Sequence, residues 1–284
     1  MVALRDDDVL RTTAPWMSTI MDLVTPRRPE NDGVVRIRDR YFHFFSVDGK
    51  PGLEVAYRMR YQVYCIERGL LRPQDYPDGL EYDEYDAFSL HVLATHCSGE
   101  PAGTARLVMH SPLGFPLMRH CRFSGDYDYL NDPACLGHSR SAEISRMAIS
   151  KAFRGRAGDT VYGGVPRPET NPRAVCGGFA VPRNTPEILF GICRLIYQES
   201  KRRGIRQWVL AMERSLYIML NRLGLKFIPA GPEVDYHGPV RPYFTTVERF
   251  EAELYRCSPE RLRYFVRGLE PHLVPACVQS PDGD

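Results

Sequence analysis

Residues 139–159 constrain the fold of this chain more than any other part of the sequence. Residues 139–149 alternate polar and apolar side chains with the period of a β-strand, and a basic turn that contains glycine follows. Glu143 and Arg146 are three positions apart, so a regular strand would place them on opposite faces. They can share one side only if a bulge or splay interrupts the strand. Such a break exposes backbone N–H groups that can bind a carbonyl or a phosphate, which predicts an acyl-transfer site.

The composition is that of a globular protein. The chain has 284 residues, 43% of them hydrophobic and 25% charged, so it can bury one sizeable core. Its formal net charge of +2 argues against a dedicated nucleic-acid-binding protein. No apolar run approaches the roughly 20 residues that cross a bilayer, so no transmembrane segment is predicted.

The eight cysteines are dispersed along the chain. They form no C-x-x-C pair and no cluster with histidine at the spacing of a zinc site, so no metal is predicted. Scattered thiols in a chain of this length favour a reducing compartment. Because the N-terminus also lacks the pattern of a signal peptide, the sequence predicts a cytoplasmic protein.

Strand-like and helix-like segments follow one another in an order that predicts an α/β fold, with a mixed central sheet and helices on both faces. Their hydrophobic periods distinguish the two types, and glycine or proline ends most segments. The predicted strands are 41–47, 89–96, 103–110, 139–149, 207–212, 226–230 and 243–250, and the predicted helices are 53–67, 185–203, 214–223 and one or two within 251–270.

The sequence also predicts how the chain is divided. Residues 1–40 are expected to be a loosely attached leader, residues 41–250 the folded domain, and residues 251–284 peripheral helices and a tail. A segment that is rich in proline and glycine, from about residue 154 to about residue 184, is expected to be an insertion in the domain.

Four charged motifs occur along the chain in a definite order. They are Arg60 with Tyr64, Asp83 and Asp86 with Tyr85 between them, the pair Arg106 and Leu107, and Glu143 with Arg146. Together they resemble the motifs of the GNAT acyltransferase fold, and more closely its branch of autoinducer (acyl-homoserine-lactone) synthases and long-chain N-acyl amino acid synthases. The run 60–71 is similar, closer still, to acyltransferases associated with PEP-CTERM/exosortase systems. The resemblance covers roughly residues 40–250.

One position departs from the autoinducer synthases. Their tryptophan, six residues beyond the aromatic of the first motif, is Leu70 here. In that family the region helps to bind S-adenosylmethionine. The resemblance therefore implies an amino acid acceptor, as in the N-acyl amino acid synthases.

The resemblance implies that opposite charges near the N-terminal helix bind the acceptor. Arginine is suited to bidentate contact with the acceptor's carboxylate. The alternative is a salt-bridge network that only fastens the N-terminal segment to the sheet. The predicted substrate-binding residues are Arg60, Tyr64, Asp83, Asp86 and Arg106.

Glu143 and Arg146 are the predicted catalytic residues. A thioester carbonyl must be polarised while an amine attacks it, and the ammonium must first lose a proton. A splayed strand at residues 146–148 would present N–H groups to the oxyanion, and Glu143 could take the proton directly or through one water. The alternative for Glu143 is an ion pair with Arg146 or Arg106 that holds the loop in shape.

The basic turn after this strand is predicted to bind the acyl donor. It resembles the pyrophosphate loop of GNAT enzymes only in part, which favours the single phosphate of an acyl carrier protein over the several phosphates of coenzyme A. The basic run 201–203 could extend this face or compensate the dipole of its helix. The predicted donor-binding residues are Met147, Ala148, Ile149, Lys151, Arg154, Gly155, Arg156 and Gly158.

These observations predict an N-acyltransferase that moves a fatty acyl group from acyl carrier protein, or from coenzyme A, to the amine of a small acceptor, an amino acid. No permanently bound cofactor is predicted. The first alternative is an autoinducer synthase that uses S-adenosylmethionine, and the second is a non-catalytic module that holds an acyl or lipid ligand. Cys65 as an acyl-accepting nucleophile is disfavoured, because no arrangement of histidine and acid supports it.

Overall fold

A nine-stranded sheet organises the protein in the computed structural model, which describes residues 36–39, 41–47, 50–138, 140–154, 175–176, 179–180 and 185–279. Two further short strands, β6 (Val175–Cys176) and β7 (Phe179–Ala180), pair with each other. The strands of the main sheet are β1 (Arg36–Arg38), β2 (Phe42–Val47), β3 (Ser89–His96), β4 (Pro101–Met109), β5 (Ser141–Ile149), β8 (Gln207–Met212), β9 (Ile228–Pro229), β10 (Val234–Asp235) and β11 (Pro239–Thr246).

The strand order of the main sheet is β1-β2-β3-β4-β5-β8-β11-β10, with β9 on β11. Every ladder is antiparallel except the one between β5 and β8, which is parallel. A parallel pair needs a long crossover connection, and here the crossover includes helix α3 (Thr185–Arg202). The predicted mixed sheet is confirmed, and its one parallel pair lies at the centre.

Helices cover both faces of the sheet, as predicted. On one face, helix α1 (Lys50–Tyr61) packs Val55 against Phe45, and on the other face α3 packs Ile188 into the main core with Phe44. Adjacent Phe44 and Phe45 thus point to opposite faces, as the two-residue period of a strand requires. The remaining helices are α2 (Pro133–His138), α4 (Arg214–Arg222), α5 (Val247–Cys257), α6 (Pro259–Val266) and α7 (Ala276–Gln279).

The predicted helix at 53–67 is confirmed, with a change in its winding. α1 ends at Tyr61 and continues as a π-helical turn, Gln62–Glu67. Gly69, with φ +62°, lies just beyond the turn. π-helical turns are rare and are frequent at functional sites. This turn carries Tyr64, which contacts the central strand.

Two predicted strands near the C-terminus are wrong in extent. Residues 243–250 contain the end of β11 and the start of α5, because the Thr246 side chain accepts a hydrogen bond from the N–H of Arg249 and caps the helix. Residues 226–230 form only the two-residue strand β9. Over so few residues, a buried strand and the first turn of an amphipathic helix have the same apolar content.

β1 lies inside the segment that was predicted to be a leader. It pairs with β2, and Ile37 is buried. Residues 1–35 and most of the predicted insertion lie outside the described residues, so the predicted division of the chain stays a prediction. Among the described helices, none combines the length and the apolar character needed to cross a membrane.

Cys97 is disulfide-bonded, which the dispersed pattern of cysteines did not predict. The reducing compartment was inferred from unpaired thiols, so this bond is an exception to that argument. The free cysteines of the described part are Cys65, Cys121, Cys135, Cys193, Cys257 and Cys277.

Gly191 lies where α3 crosses Phe44, and a Cβ at this position would lie 2.1 Å from the phenylalanine ring. Alanine normally stabilises a helix by roughly 0.5–1 kcal/mol relative to glycine. Here we expect Gly191→Ala to lower the free energy of unfolding by about 1–3 kcal/mol, since the buried ring must be displaced. Urea unfolding measures this change. Adding Phe44→Leu should recover part of the loss, and strictly additive effects of the two substitutions would contradict the steric explanation.

Candidate active site

β5 and β8 separate after Glu143. Their parallel ladder begins with the pair of Ser141 and Gln207 and ends with the pair of Glu143 and Val209, and among the described residues no pair follows it. β8 nevertheless continues to Met212, paired with β11 on its other side. A V-shaped slot therefore opens between the C-terminal ends of the two strands, as the interrupted pattern of β5 predicts.

A bulge at Arg146 bends β5 away from β8. Thr104 of β4 pairs with Ala148 and Arg106 pairs with Ser145, so β5 has one more residue than β4 between these pairs. Arg146 adopts a left-handed conformation with φ +51°, which is unusual for a residue with a side chain. The predicted interruption is confirmed, and it lies at Arg146 rather than between Glu143 and Arg146.

The bulge is held from the helical side by Tyr64. The Tyr64 hydroxyl donates a hydrogen bond of 2.9 Å to the carbonyl of Met147. A carbonyl that the bulge removes from the ladder thereby gains a partner, because buried backbone groups need one. Burial, the largest influence, raises the pKa of Tyr64 to about 12, so the hydroxyl remains a donor at neutral pH.

The slot contains a cavity of about 140 Å³. One end is polar and lies on the side of α1. The other end is apolar and reaches α3 and α4, so the cavity passes through the sheet between β5 and β8. The polar end is lined by Tyr64, Glu143, Ser145, Arg146, Tyr236 and His237, and the apolar end by Ile144, Cys193, Leu210, Met212, Leu216, Leu220 and Phe227.

Arg60 lies at the base of a buried charge network beneath this slot. Its side chain is inaccessible to solvent and makes a bidentate contact with Asp86, at 2.7 and 3.1 Å. Its Nε donates to Glu81, which is also buried. Two paired carboxylates compensate the cost of burying this guanidinium.

Arg106 completes the network from β4 and is likewise buried. It contacts Asp83 at 2.5 and 3.1 Å, Asp86 at 2.8 Å and the hydroxyl of Ser145 at 3.1 Å. Asp83 and Asp86 also cap the 3₁₀ turn Glu84–Phe88 reciprocally. Arg60 and Arg106 direct their nitrogens at protein groups, which favours the salt-bridge alternative for these residues over contact with the acceptor.

Of the three arginines in the network, Arg146 is the one that lines the slot. Its Nε donates to Glu81 at 3.0 Å and one terminal nitrogen donates to Asp83 at 3.3 Å. Its other terminal nitrogen has no hydrogen-bond partner among the described residues. The bulge therefore places a guanidinium with one available donor edge at the polar end of the cavity.

Two carboxylates of the network, Asp86 and Glu81, are held in the ionised state. Burial alone would raise the pKa of Asp86, but Arg60 and Arg106 outweigh burial and hold it well below its ordinary value. The pKa of Glu81 is also lowered, because Arg146 and Arg60 outweigh its burial. The network is thus a closed set of ion pairs at neutral pH.

Glu143 stands outside these ion pairs. It is 3% exposed, and its Oε2 accepts a hydrogen bond of 2.9 Å from the N–H of Leu117. Its other oxygen has no hydrogen-bond partner among the described residues. Burial raises the pKa of Glu143 to about 7, although the Leu117 N–H, Arg106 and Arg146 act in the opposite direction. The predicted alternative of an ion pair with Arg106 or Arg146 is wrong.

The predicted donor-binding residues divide into several environments. Met147 lines the slot, whereas Ala148 and Ile149 are buried. Glu67, in the π-helical turn, accepts hydrogen bonds from the N–H of Lys151 and from the Arg154 side chain. The guanidinium predicted to contact a phosphate therefore forms an ion pair. Gly155, Arg156 and Gly158 lie outside the described residues.

Two other features named from the sequence, the basic run 201–203 and Cys65, lie in structural environments. The side chains of residues 201–203 pair with Glu251, Glu199 and Glu270, which favours a structural role for this basic run. Cys65 is buried, and burial raises the pKa of its thiol, so it is not an activated nucleophile. Within the described residues, no group of side chains could hold a metal ion.

Sequence reasoning missed Glu81, Tyr236, His237 and the Arg68–Glu213 ion pair at the slot. Glu81 had a signal, because it precedes Asp83 by two residues in the same acidic segment and faces the same arginines. Tyr236 and His237 had none, because they reach the slot from the turn between β10 and β11, far along the chain.

The chain is similar to known proteins in part of its sequence and in its fold. The family profile described as an acetyltransferase (GNAT) domain matches residues 59–162. The fold is similar to that of TofI in a ternary complex with an inhibitor and MTA, with a TM-score of 0.51 and 18% identity, over 81% of this chain and 98% of that chain. No sequence among the curated proteins matches the chain.

Two further solved structures are similar to the chain at lower scores. FeeM, an N-acyl amino acid synthase from uncultured soil microbes, has a TM-score of 0.46 and 12% identity, over 77% of this chain and 96% of that chain. The AHL synthase LasI has a TM-score of 0.44 and 16% identity, over 78% of this chain and 95% of that chain.

The protein has a GNAT-like α/β fold, with a mostly antiparallel sheet flanked by helices, as predicted. The domain match supports an acyl-transferring enzyme. Neither the match nor the fold identifies the acyl donor or the acceptor.

Asp86 contacts two buried arginines, so its charge is critical for stability. We expect Asp86→Asn to lower the free energy of unfolding by about 3–5 kcal/mol, because Arg60 and Arg106 would then share too few negative charges in a buried site. Denaturant unfolding measures the loss. Asp75→Asn, which removes the partner of exposed Arg72, is the matched control and should change stability by less than about 1 kcal/mol. Equal effects of the two substitutions would contradict the network's role.

Proposed function

We propose that the protein is an N-acyltransferase that transfers a fatty acyl group from a carrier-protein thioester, or from acyl-coenzyme A, to the amine of an amino acid. One observation carries the proposal. A single cavity is lined by Glu143 and Arg146 at its polar end and continues into an apolar end between β5 and β8. An amine and an acyl chain can therefore meet in one slot.

The apolar end supports a fatty acyl group as the transferred group. Its walls are aliphatic side chains of β5, β8 and α4, together with Cys193 of α3 and Phe227. Burial of a methylene group contributes about 0.8 kcal/mol, so even a few methylenes hold the donor firmly. The thioester carbonyl would then lie at the bulge, where β5 has lost its partner strand and can offer backbone donors to the oxyanion.

Glu143 supports the proton transfer that the reaction requires. An ammonium must lose a proton before its nitrogen can attack the carbonyl carbon, and a base with a pKa near the working pH does this best. Glu143 meets that condition at about 7. The nitrogen lone pair forms the C–N bond, the C–S bond breaks, and the sulfur leaves as a thiol.

Arg146 supports an acceptor with a carboxylate. Its available terminal nitrogen is the guanidinium donor that the network directs to the slot, whereas Arg60 and Arg106 act beneath it. Glu81 and Asp83 fix the orientation of Arg146, so the guanidinium is positioned before the acceptor binds. In this proposal Arg60, Asp83, Asp86 and Arg106 support the acceptor site without touching the acceptor.

The choice of donor and cellular setting is part of the proposal. Acyl carrier protein is favoured by the sequence of the turn after β5, and a cytoplasmic location and an association with PEP-CTERM/exosortase systems by the sequence resemblance. The alternative acceptor is S-adenosylmethionine, as in an autoinducer synthase. The similar TofI structure contains MTA, but Leu70 lines the slot where that family has tryptophan.

Product analysis of the purified protein tests the function. Acyl carrier protein and coenzyme A thioesters are offered separately, with a mixture of amino acids or with S-adenosylmethionine, and products are identified by mass spectrometry. An N-acyl amino acid is the expected product. An acyl-homoserine lactone together with methylthioadenosine would establish the alternative, and unconsumed thioester would favour a non-catalytic module.

Glu143→Gln should lower kcat by about 100-fold or more, because the amide can still accept a hydrogen bond from Leu117 but cannot take a proton. Single-turnover acyl transfer measures the loss, and an unchanged unfolding midpoint shows that the fold is intact. Glu84→Gln, at an exposed carboxylate paired with Arg119, is the control and should remain active. Wild-type turnover in the Glu143 variant would remove this residue as the base.

The raised pKa of Glu143 predicts the pH dependence. The base must be ionised to act, so kcat/KM should rise with pH and level off above an apparent pKa of about 7. Stability should change in the opposite sense, because burial favours the protonated carboxyl. The contribution of the protonated Glu143 carboxyl to the free energy of unfolding is complete below the unfolded pKa of about 4.5. It is lost as pH rises through about 7. A pH–rate profile that is flat between those values would contradict this assignment.

A further inference from the structure

The proposed acyl transfer releases one proton that needs a route to solvent. Two protons leave the acceptor nitrogen, and only one of them ends on the thiol sulfur. Glu143 is 3% exposed and is surrounded by protein, so it can hold a proton but has little contact with water. A second group must connect the slot to solvent.

His237 meets that requirement by its position. It lines the polar end of the slot together with Ser145 and Arg146, and it is also an exposed residue. Among the described side chains that line the slot, His237 is the only histidine. An imidazole has two nitrogens, so one can accept a proton from the slot while the other releases one to water.

The turn between β10 and β11 holds His237 in an unusual conformation. His237 has φ +55° and Gly238 has φ +111°. The N–H of Tyr236 donates to the carbonyl of Gly238 at 2.9 Å, and the N–H of Gly238 donates to Asp235 at 3.0 Å. A side chain in the left-handed region costs conformational energy, and such strain is concentrated at functional positions.

The charges around His237 favour the neutral imidazole. Partial burial of the ring lowers its pKa, Arg146 of β5 lowers it further, and Glu81 and Asp235 raise it without reversing the change. His120, which stacks on the ring of Tyr236 at 3.9 Å, also faces this turn. A neutral imidazole at neutral pH is the form that can accept a proton.

We propose that His237 is the proton relay between the slot and solvent; this inference rests on the proposed acyl transfer. Glu143 takes the first proton from the ammonium, and the freed lone pair forms the bond from nitrogen to the carbonyl carbon. His237 takes the second proton from the nitrogen of the tetrahedral adduct, directly or through water. The C–S bond breaks, the sulfur takes the proton held by Glu143, and the imidazolium of His237 releases its proton to solvent.

Two substitutions test the relay without disturbing the turn. Glycine and asparagine both tolerate the left-handed conformation, so His237→Gly and His237→Asn should keep the fold. We expect each variant to lose about 10-fold to 100-fold in kcat at low buffer concentration, with KM for the amino acid changed by less than about 3-fold. Added imidazole should restore much of the rate of His237→Gly, because it can occupy the vacated space, and should leave the wild-type rate unchanged.

The controls separate the relay from a structural role and from the proposed function. His272→Gly, at an exposed histidine in the turn Pro271–Leu273 outside the slot, should have the wild-type rate and no response to imidazole. A His237 variant that keeps more than half of the wild-type rate would overturn the relay, as would a loss that imidazole does not restore. A wild-type protein that transfers no acyl group would instead overturn the proposed function, and the relay with it.

Discussion

The separation of β5 from β8 after Glu143 is the constraint on which the rest of the site depends. A strand at the centre of a sheet gains a hydrogen bond at almost every residue, so leaving its neighbour must be compensated. The compensation here is local. Arg146 takes a left-handed conformation, its guanidinium binds Glu81 and Asp83, and Tyr64 supplies a donor for the Met147 carbonyl. Each contact holds the backbone of β5 in the conformation that leaves the slot open.

The closed charge network also explains why Glu143 differs from the other carboxylates. Arg60, Arg106 and Arg146 pair with three acidic side chains of the network, and none of them forms an ion pair with Glu143. Glu143, a buried carboxyl without an ion-pair partner, has a raised pKa, whereas Glu81 and Asp86, which are paired with arginines, have lowered pKa values. One arrangement of arginines thus produces two kinds of carboxylate, with lowered pKa values inside the network and a raised pKa at Glu143.

Much of the fold and part of the site could be predicted from the sequence. The alternation at 139–149 and the spacing of Glu143 and Arg146 were sufficient to predict an interrupted central strand, because strand geometry leaves few alternatives. The division of roles among the charges could not be predicted. Whether an arginine faces a ligand or a carboxylate depends on the angles between α1, β4 and β5, and sequence spacing does not encode them. For the same reason His237, which comes from a distant turn, had no local signal.

The π-helical turn after α1 has a consequence for how this chain can vary. Tyr64 supports the bulge and Glu67 holds the backbone at Lys151, so the C-terminal part of β5 and the residues just beyond it are attached to one turn. Inserting or deleting a single residue between positions 64 and 67 would rotate one attachment around the axis of the turn relative to the other. Related sequences should therefore exchange side chains freely on the outer surface of this turn while keeping its length constant, and a change in length would mark a lineage with a differently shaped slot.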